Sequence, residues 1–226
     1  MQRFAIYYAP PPGPLAEFAA AWLGWDAAAG RERAHPELSG LPLSVAEITA
    51  TPRKYGFHGT LKPPFRLARG CTEADLRAGC AALANRLAPV SLPGLGLKRL
   101  GGFLALVPEG DAAPLDALAA EVVVALDGFR APPDAAEIAR RRPERLSEGQ
   151  RALLARWGYP YVLDEFRFHL TLSGNLAPDI AEEVAEALAP HLAPILPKPF
   201  VVADICLFGE AADGRFRLLH RYPLGG

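Results

Sequence analysis

Residues 52–65 read PRKYGFHGTLKPPF, and residues 164–176 read DEFRFHLTLSGNL. Each holds the same short core, Phe57-His58-Gly59-Thr60-Leu61 in the first and Phe168-His169-Leu170-Thr171-Leu172 in the second. Successive side chains of a β-strand point to opposite faces. On such a strand His58 and Thr60 share one face, with Phe57 and Leu61 on the other. His169 and Thr171 stand in the same way against Phe168, Leu170 and Leu172. The apolar positions anchor each strand in a core, and an imidazole and a hydroxyl are presented on its far side.

The stretches downstream of the two segments repeat as well. After the first, Thr72 with Asp75 forms a capping-box pattern, and Leu76, Cys80, Leu83 and Leu87 make one helical stripe that ends at Pro89. Strand-like runs come next at 90–99 and 102–107, joined at Gly101-Gly102. After the second, Ile180, Val184 and Leu188 are in helical register, and strands are expected at 200–208 and 215–222. The order motif strand, helix, strand, strand thus occurs twice, in units 52–107 and 164–222. His58 and His169 are 111 residues apart, close to half the chain. Duplication at this period predicts two similar lobes sharing one core.

Ahead of the first unit, residues 3–8 (RFAIYY) read as a strand, and Pro14 opens a helix carrying Leu15, Phe18 and Trp22 that stops at Gly24. Residues 24–50 read as loop. Between the units, 113–158 is a helical connection: Leu115, Leu118, Val122 and Leu126 line one helix, and Asp134 with Glu137 and Ser147 with Gln150 cap two shorter ones. No Ser/Gly linker divides the chain, so residues 1–226 are expected to form a single bilobal domain.

Composition narrows the function classes. Half of the 226 residues are hydrophobic, enough for a stable core without staples, which excludes disordered and collagen-like classes. Lys and Arg number 24 against 25 Asp and Glu, so no global field gathers DNA or acidic membranes. Arginine outnumbers lysine 20 to 4, which reads as codon bias. Cys71, Cys80 and Cys206 lie in no CxxC pair and are expected as reduced thiols. MQRFAIYYAPPPG lacks a signal-peptide core and no 18-residue apolar run comes after it, so a cytoplasmic protein with no membrane partner is expected.

If the lobes face each other about a pseudo-twofold, two His–Thr pairs converge on one cleft. Two opposed imidazoles suit phosphodiester cleavage: one, neutral, takes a proton from the attacking oxygen, and the other, protonated, gives one to the leaving oxygen. An imidazole pKa near ~6.5 populates both forms at neutral pH, and each transfer contributes roughly 10²–10⁴-fold. Thr60 and Thr171 would donate to the non-bridging phosphate oxygens. This scheme requires neither metal nor cofactor, and no HExxH, GxSxG or P-loop motif is present. Which histidine is the acid stays open.

On a straight strand Lys62 and Lys54 share the His58 face, while Arg167 and Ser173 share the His169 face. Lys62 and Arg167 are candidate phosphate ligands; Lys54, Ser173, Tyr7 and Tyr55 are candidate substrate contacts. The run Arg140-Arg141-Arg142, with Arg145, reads as a solvated helix face paired with Glu137 and Glu144. His220 reads as a core or rim histidine, His35 and His191 belong to no pattern, and Trp22, Trp25 and Trp157 read as packing anchors.

Tandem HxT motifs on strands in paired lobes resemble the 2H phosphoesterase superfamily, which includes RNA 2′,3′-cyclic phosphodiesterases. More closely, RKYGFHGTLKPPFRL, LGGFLALVP, RWGYPYVLDEFRFHLTLSG and FRLLHRYPL look like its DUF1045 branch, associated with phosphonate metabolism. The resemblance implies an α+β, bilobal fold: two pseudo-symmetric lobes, each with an antiparallel sheet and flanking helices. His58, Thr60, His169 and Thr171 would line the cleft between them. Gly59 stands where alanine is expected in that branch and should loosen the strand slightly. The expected function is metal-independent hydrolysis of a small cyclic phosphodiester or related phosphate ester, placed in phosphonate catabolism. The alternatives are an RNA or nucleotide 2′,3′-cyclic phosphodiesterase and a non-catalytic module binding a nucleotide or phosphorylated metabolite. The expected partner is a small phosphorylated substrate, or else a nucleotide or RNA end.

Overall fold

Aromatic and β-branched residues near the N-terminus make β1 (Phe4–Tyr8), every residue of which is buried. A computed structural model describes residues 1–226. Pro14, whose missing N–H costs nothing at a helix start, opens α1 (Pro14–Leu23), and Gly24 ends it in the left-handed conformation at φ 72°. A short ribbon, β2 (Trp25–Asp26) with β3 (Arg31–Glu32), comes next. Within the stretch expected as loop, Ser44 and Glu47 form a capping box that starts α2 (Val45–Ile48).

The first motif strand is β4 (Gly59–Phe65), followed by α3 (Glu73–Ala84), β5 (Val90–Leu92) and the hairpin of β6 (Leu95–Leu100) and β7 (Phe103–Pro108). The connection holds α4 (Ala113–Ala125), α5 (Ala135–Arg140) and α6 (Glu148–Trp157). The second motif strand is β8 (Leu170–Thr171), followed by α7 (Pro178–Leu192), β9 (Phe200–Val202) and the hairpin of β10 (Asp204–Glu210) and β11 (Phe216–Pro223). Capping boxes at Thr72–Asp75, Asp134–Glu137 and Ser147–Gln150 all form as their sequences predict.

Seven strands make one antiparallel sheet in the order β11-β10-β1-β4-β8-β7-β6. Its two halves meet at a single register pair, Gly59 with Leu170. The repeated units exchange parts. The first motif strand joins the hairpin of the second unit through β1, while the second motif strand joins the hairpin of the first. Each lobe of this α+β fold therefore draws on both halves of the chain.

Strand alternation sorts the side chains into two layers. Phe4, Ile6, Leu61, Leu106, Leu170 and Leu207 point to one face and join the helices in the main core. On the other face Tyr7, Cys206, Phe208 and Phe216 form a smaller cluster under Trp25 and Ala27. Trp22 is fully buried, its indole N–H donating to the Leu172 carbonyl at 2.7 Å. Trp25 donates to Phe216 O at 2.9 Å, which fixes the ribbon on the sheet. No helix is long and apolar enough to cross a membrane.

Candidate active site

The geometry follows from the one pair that joins the half-sheets. Gly59 and Leu170 face the main core, so their neighbours along each strand face the other way. Continuing the antiparallel register by one residue on either side sets His58 across from Thr171 and Thr60 across from His169. Four side chains thus form a quartet about a local twofold, histidines on one diagonal and threonines on the other. The ladder partners of the threonines, Tyr7 and Ala105, confirm the facing.

Both imidazoles are oriented by the same local device. His58 Nδ1 donates to the carbonyl of Gly56 at 2.9 Å, and His169 Nδ1 donates to that of Arg167 at 2.8 Å. With Nδ1 committed, Nε2 of each ring is left for the cleft. Thr60 Oγ1 lies 3.2 Å from His58 Nε2. The Tyr7 ring lies on the His58 imidazole, centroids 3.8 Å apart and planes 24° from parallel. Burial, with a smaller contribution from the His169 charge, lowers the His58 pKa to about 4. The expectation that both histidines titrate in the ordinary range therefore fails for His58, because its imidazolium would lose its water. Burial also pushes the Tyr7 phenol well up, so it stays protonated and can donate.

A cavity of about 450 Å³ opens over the quartet, lined by Tyr7, Tyr55, His58, Thr60, Thr171 and Ser173. His169 stands at its edge, 5.5 Å from the lining residue Phe103 between ring centroids. Ser173 is buried and its hydroxyl is already used, accepting from Leu104 N–H and donating to Gly174 O. Arg3, Thr51, Asn175, Arg141 and Tyr159 also line the cavity.

Three basic candidates are elsewhere. Lys62 is not on the His58 face. Tyr7 pairs with Thr60 but Ile6 pairs with Lys62, so Leu61 is an extra residue in a bulge. The bulge turns Lys62 beneath the sheet, where Nζ donates to Val123 O at 2.9 Å and to Asp127 at 3.3 Å. Arg167 folds back on its own backbone, donating to Phe166 O, and lies in a surface hollow with Asp116 and Asp164. Lys54 is exposed and rests on the Tyr55 ring at 4.9 Å, because Gly56 at φ 70° breaks the strand phase before it.

Other readings change too. Arg141, expected on a solvated face, lines the cleft, its guanidinium 4.5 Å from the Tyr159 ring centroid. Glu137 pairs with Arg66 at 2.8 Å instead. Arg3 and Tyr159 carried no motif; only the placement of their segments reveals them. His220 is exposed against Tyr222, and the half-buried His35 bonds the carbonyl of Trp22 at the end of α1. Gly59 also makes room for the Phe168 ring, to which a Cβ would come closer than 3.0 Å. The three cysteines are free, and no group of three His, Cys, Asp or Glu side chains converges.

A family model described as "Protein of unknown function (DUF1045)" matches residues 60–217. Two curated relatives are each named ribose 1,5-bisphosphate phosphokinase PhnN. The one from Janthinobacterium sp. (strain Marseille) is 37% identical over 178 residues, covering 78% of this chain and 39% of its own length. The one from Laribacter hongkongensis (strain HLHK9) is 39% identical over 177 residues, covering 77% and 40%. The chain thus spans about two fifths of the length of these relatives. Among solved structures, TT0787 of Thermus thermophilus aligns at 18% identity and a TM-score of 0.46, over 99% of this chain and 98% of that one. E. coli LigT complexed with 3′-AMP aligns at 16% and 0.43, over 100% and 99%.

Proposed function

The chain belongs to the DUF1045 family, and we propose that it is a two-histidine phosphoesterase that hydrolyses a small cyclic phosphodiester without a metal. The observation that carries this reading is the Gly59–Leu170 pair, which puts histidines on one diagonal and threonines on the other. In-line displacement at phosphorus needs a proton acceptor beside the entering oxygen and a donor beside the leaving one, on opposite sides. The histidine diagonal supplies both. The threonine diagonal supplies hydroxyl donors for the two non-bridging oxygens, where charge builds up.

His58 takes the role of base. Its Nδ1–H is held by Gly56 O, and burial keeps Nε2 unprotonated at neutral pH. It accepts a proton from water as the water oxygen bonds to phosphorus. The opposite P–O ester bond breaks, and His169, as imidazolium, protonates the departing alkoxide. The product is a phosphomonoester with a freed hydroxyl, and proton exchange with solvent resets both rings.

The relatives' name supports a substrate class. They are named for a phosphokinase of ribose 1,5-bisphosphate. A cyclic diester bridging O1 and O2 of ribose 5-phosphate yields that bisphosphate when the bond from phosphorus to O2 is hydrolysed. A ribosyl cyclic phosphate is therefore the substrate we favour, in keeping with the phosphonate catabolism that the family resemblance implies. A second reading, a nucleoside 2′,3′-cyclic phosphate, is favoured by the rings of Tyr55, Phe103 and Tyr159 along the cleft, which could stack a base.

The test is turnover in the presence of chelator. Wild type, His58→Ala and His169→Ala are assayed on ribose cyclic phosphates, cyclic nucleotides and generic phosphodiesters. Wild type should turn over a cyclic phosphate, and both variants should lose that turnover by ~10²-fold or more. Binding of these compounds by a wild type that turns over none of them would favour the non-catalytic binding module instead.

A further inference from the structure

The wall of the cleft away from the quartet carries positive charge that the two-histidine chemistry does not use. Beside the main cavity lies a smaller hollow of about 60 Å³, and the two adjoin at Arg3, Pro64 and Arg141. Arg66, Arg130 and Arg140 also line the smaller one, where Glu137 is the sole acid. Three of these five arginines are held by carboxylates. Arg3 is clamped by Glu210 at 2.6 and 2.8 Å, Arg66 by Glu137 at 2.8 Å and Asp134 at 3.2 Å, and Arg130 by Asp127 at 2.8 Å. Arg140 and Arg141 have no ion-pair partner. Arg141, just past the end of α5, is half-buried, with its guanidinium carbon over the Tyr159 ring at 4.5 Å from the centroid.

A planar guanidinium fixed on an aromatic face, with its N–H edge free, is suited to receive two oxygens of a phosphate at once. In a chain of net charge −1 this local excess is a feature of one wall. We propose that Arg141, backed by Arg140 and the clamped Arg3, is a subsite for a second phosphate of the substrate, separate from the phosphate opened between the histidines. The subsite rests on the phosphoesterase reading and deepens it: the substrate is a cyclic phosphodiester that also bears a phosphomonoester. Substrates without that group leave a partly desolvated arginine unpaired, which is how the site would discriminate against them.

The test uses one ribose cyclic phosphate made with and without a 5-phosphate. Binding of each is measured by calorimetry to wild type, Arg141→Ala and Arg141→Gln, the glutamine variant guarding against a fold defect in the alanine one. The 5-phosphate is expected to tighten wild-type binding by about 10-fold or more, the worth of a charge-assisted bidentate contact. In both variants that ratio falls below about 2-fold. A wild type indifferent to the 5-phosphate, or a ratio that survives both substitutions, overturns the subsite. Turnover is read on the same samples: a ratio lost with Arg141 but no hydrolysis in wild type would sink the phosphoesterase reading and leave the subsite standing.

Discussion

Tyr7, on β1, and His58, just ahead of β4, stack with ring centroids 3.8 Å apart, and the stack covers one face of the imidazole. Tyr7 is fixed from both sides, paired with Thr60 on β4 and with Cys206 on β10. Its ring excludes water from one face of His58, while Gly56 O sets the rotation about the other axis. Tyr7→Leu keeps an apolar side chain on the strand but removes the flat cover. We expect kcat to fall about 10-fold, with the acid limb of the pH–rate profile moving up toward the ordinary histidine range as water reaches the ring. A lower kcat with an unmoved limb would make Tyr7 a substrate contact, not a positioning residue.

Burial of His58 has a pH signature in both rate and stability. In the proposed role of base it must be neutral, so with a pKa of about 4 activity should be lost only as pH falls through that value. An acid limb near 6.5 would assign the base elsewhere. For stability, the unfolded chain takes up this proton near ~6.5, whereas the folded protein does so only near 4. The unfolded state thus binds more protons in that window, and stability falls as pH drops from 6.5 to 4. Urea unfolding at several pH values should show this slope in wild type and a shallower one in His58→Asn.

Period-two alternation around Phe57–Leu61 and Phe168–Leu172 made the quartet legible, since alternation depends only on local strand geometry. The capping pairs at Thr72, Asp134 and Ser147 were legible for the same reason. The Ser44–Glu47 pair was equally readable and would have found α2. Lys62 was misplaced because the Leu61 bulge arises from pairing with β1, a partner more than fifty residues away in sequence. Arg141 was misread because a run of arginines looks solvated until tertiary packing brings α5 to the cleft. The exchange of hairpins between the repeated units has no local signal at all.

Lys62 separates the straight-strand expectation from the observed one. Its stem fills the core beneath the sheet, and Nζ satisfies the Val123 carbonyl beside Asp127. Lys62→Ala leaves a cavity and an unbonded carbonyl, while Asp127 keeps Arg130. The expected loss is about 2–4 kcal/mol in stability, seen as a lower unfolding midpoint. KM for the preferred diester should stay within about 2-fold, because Lys62 does not reach the cleft. A large rise in KM with little loss of stability would return Lys62 to the phosphate.

Gly59 and Phe168 hold the two motif strands at their working distance. The Phe168 ring lies over Gly59 and is confined by Tyr8, Phe200 and Phe166, whose centroids are 6.1, 5.9 and 6.5 Å away. A methyl group at position 59 would meet ring atoms closer than 3.0 Å, so the ring would have to shift against these neighbours. Strain at the one pair joining β4 to β8 would spread the diagonals on which the proposed chemistry depends. Gly59→Ala should therefore cost about 1–3 kcal/mol in stability, and kcat should fall by about 10-fold. Phe168→Leu clears the space, so the double variant should be more stable than the sum of the single losses predicts. Strict additivity would show that the ring and the glycine are not in conflict, and that glycine is there for the flexibility of its backbone alone.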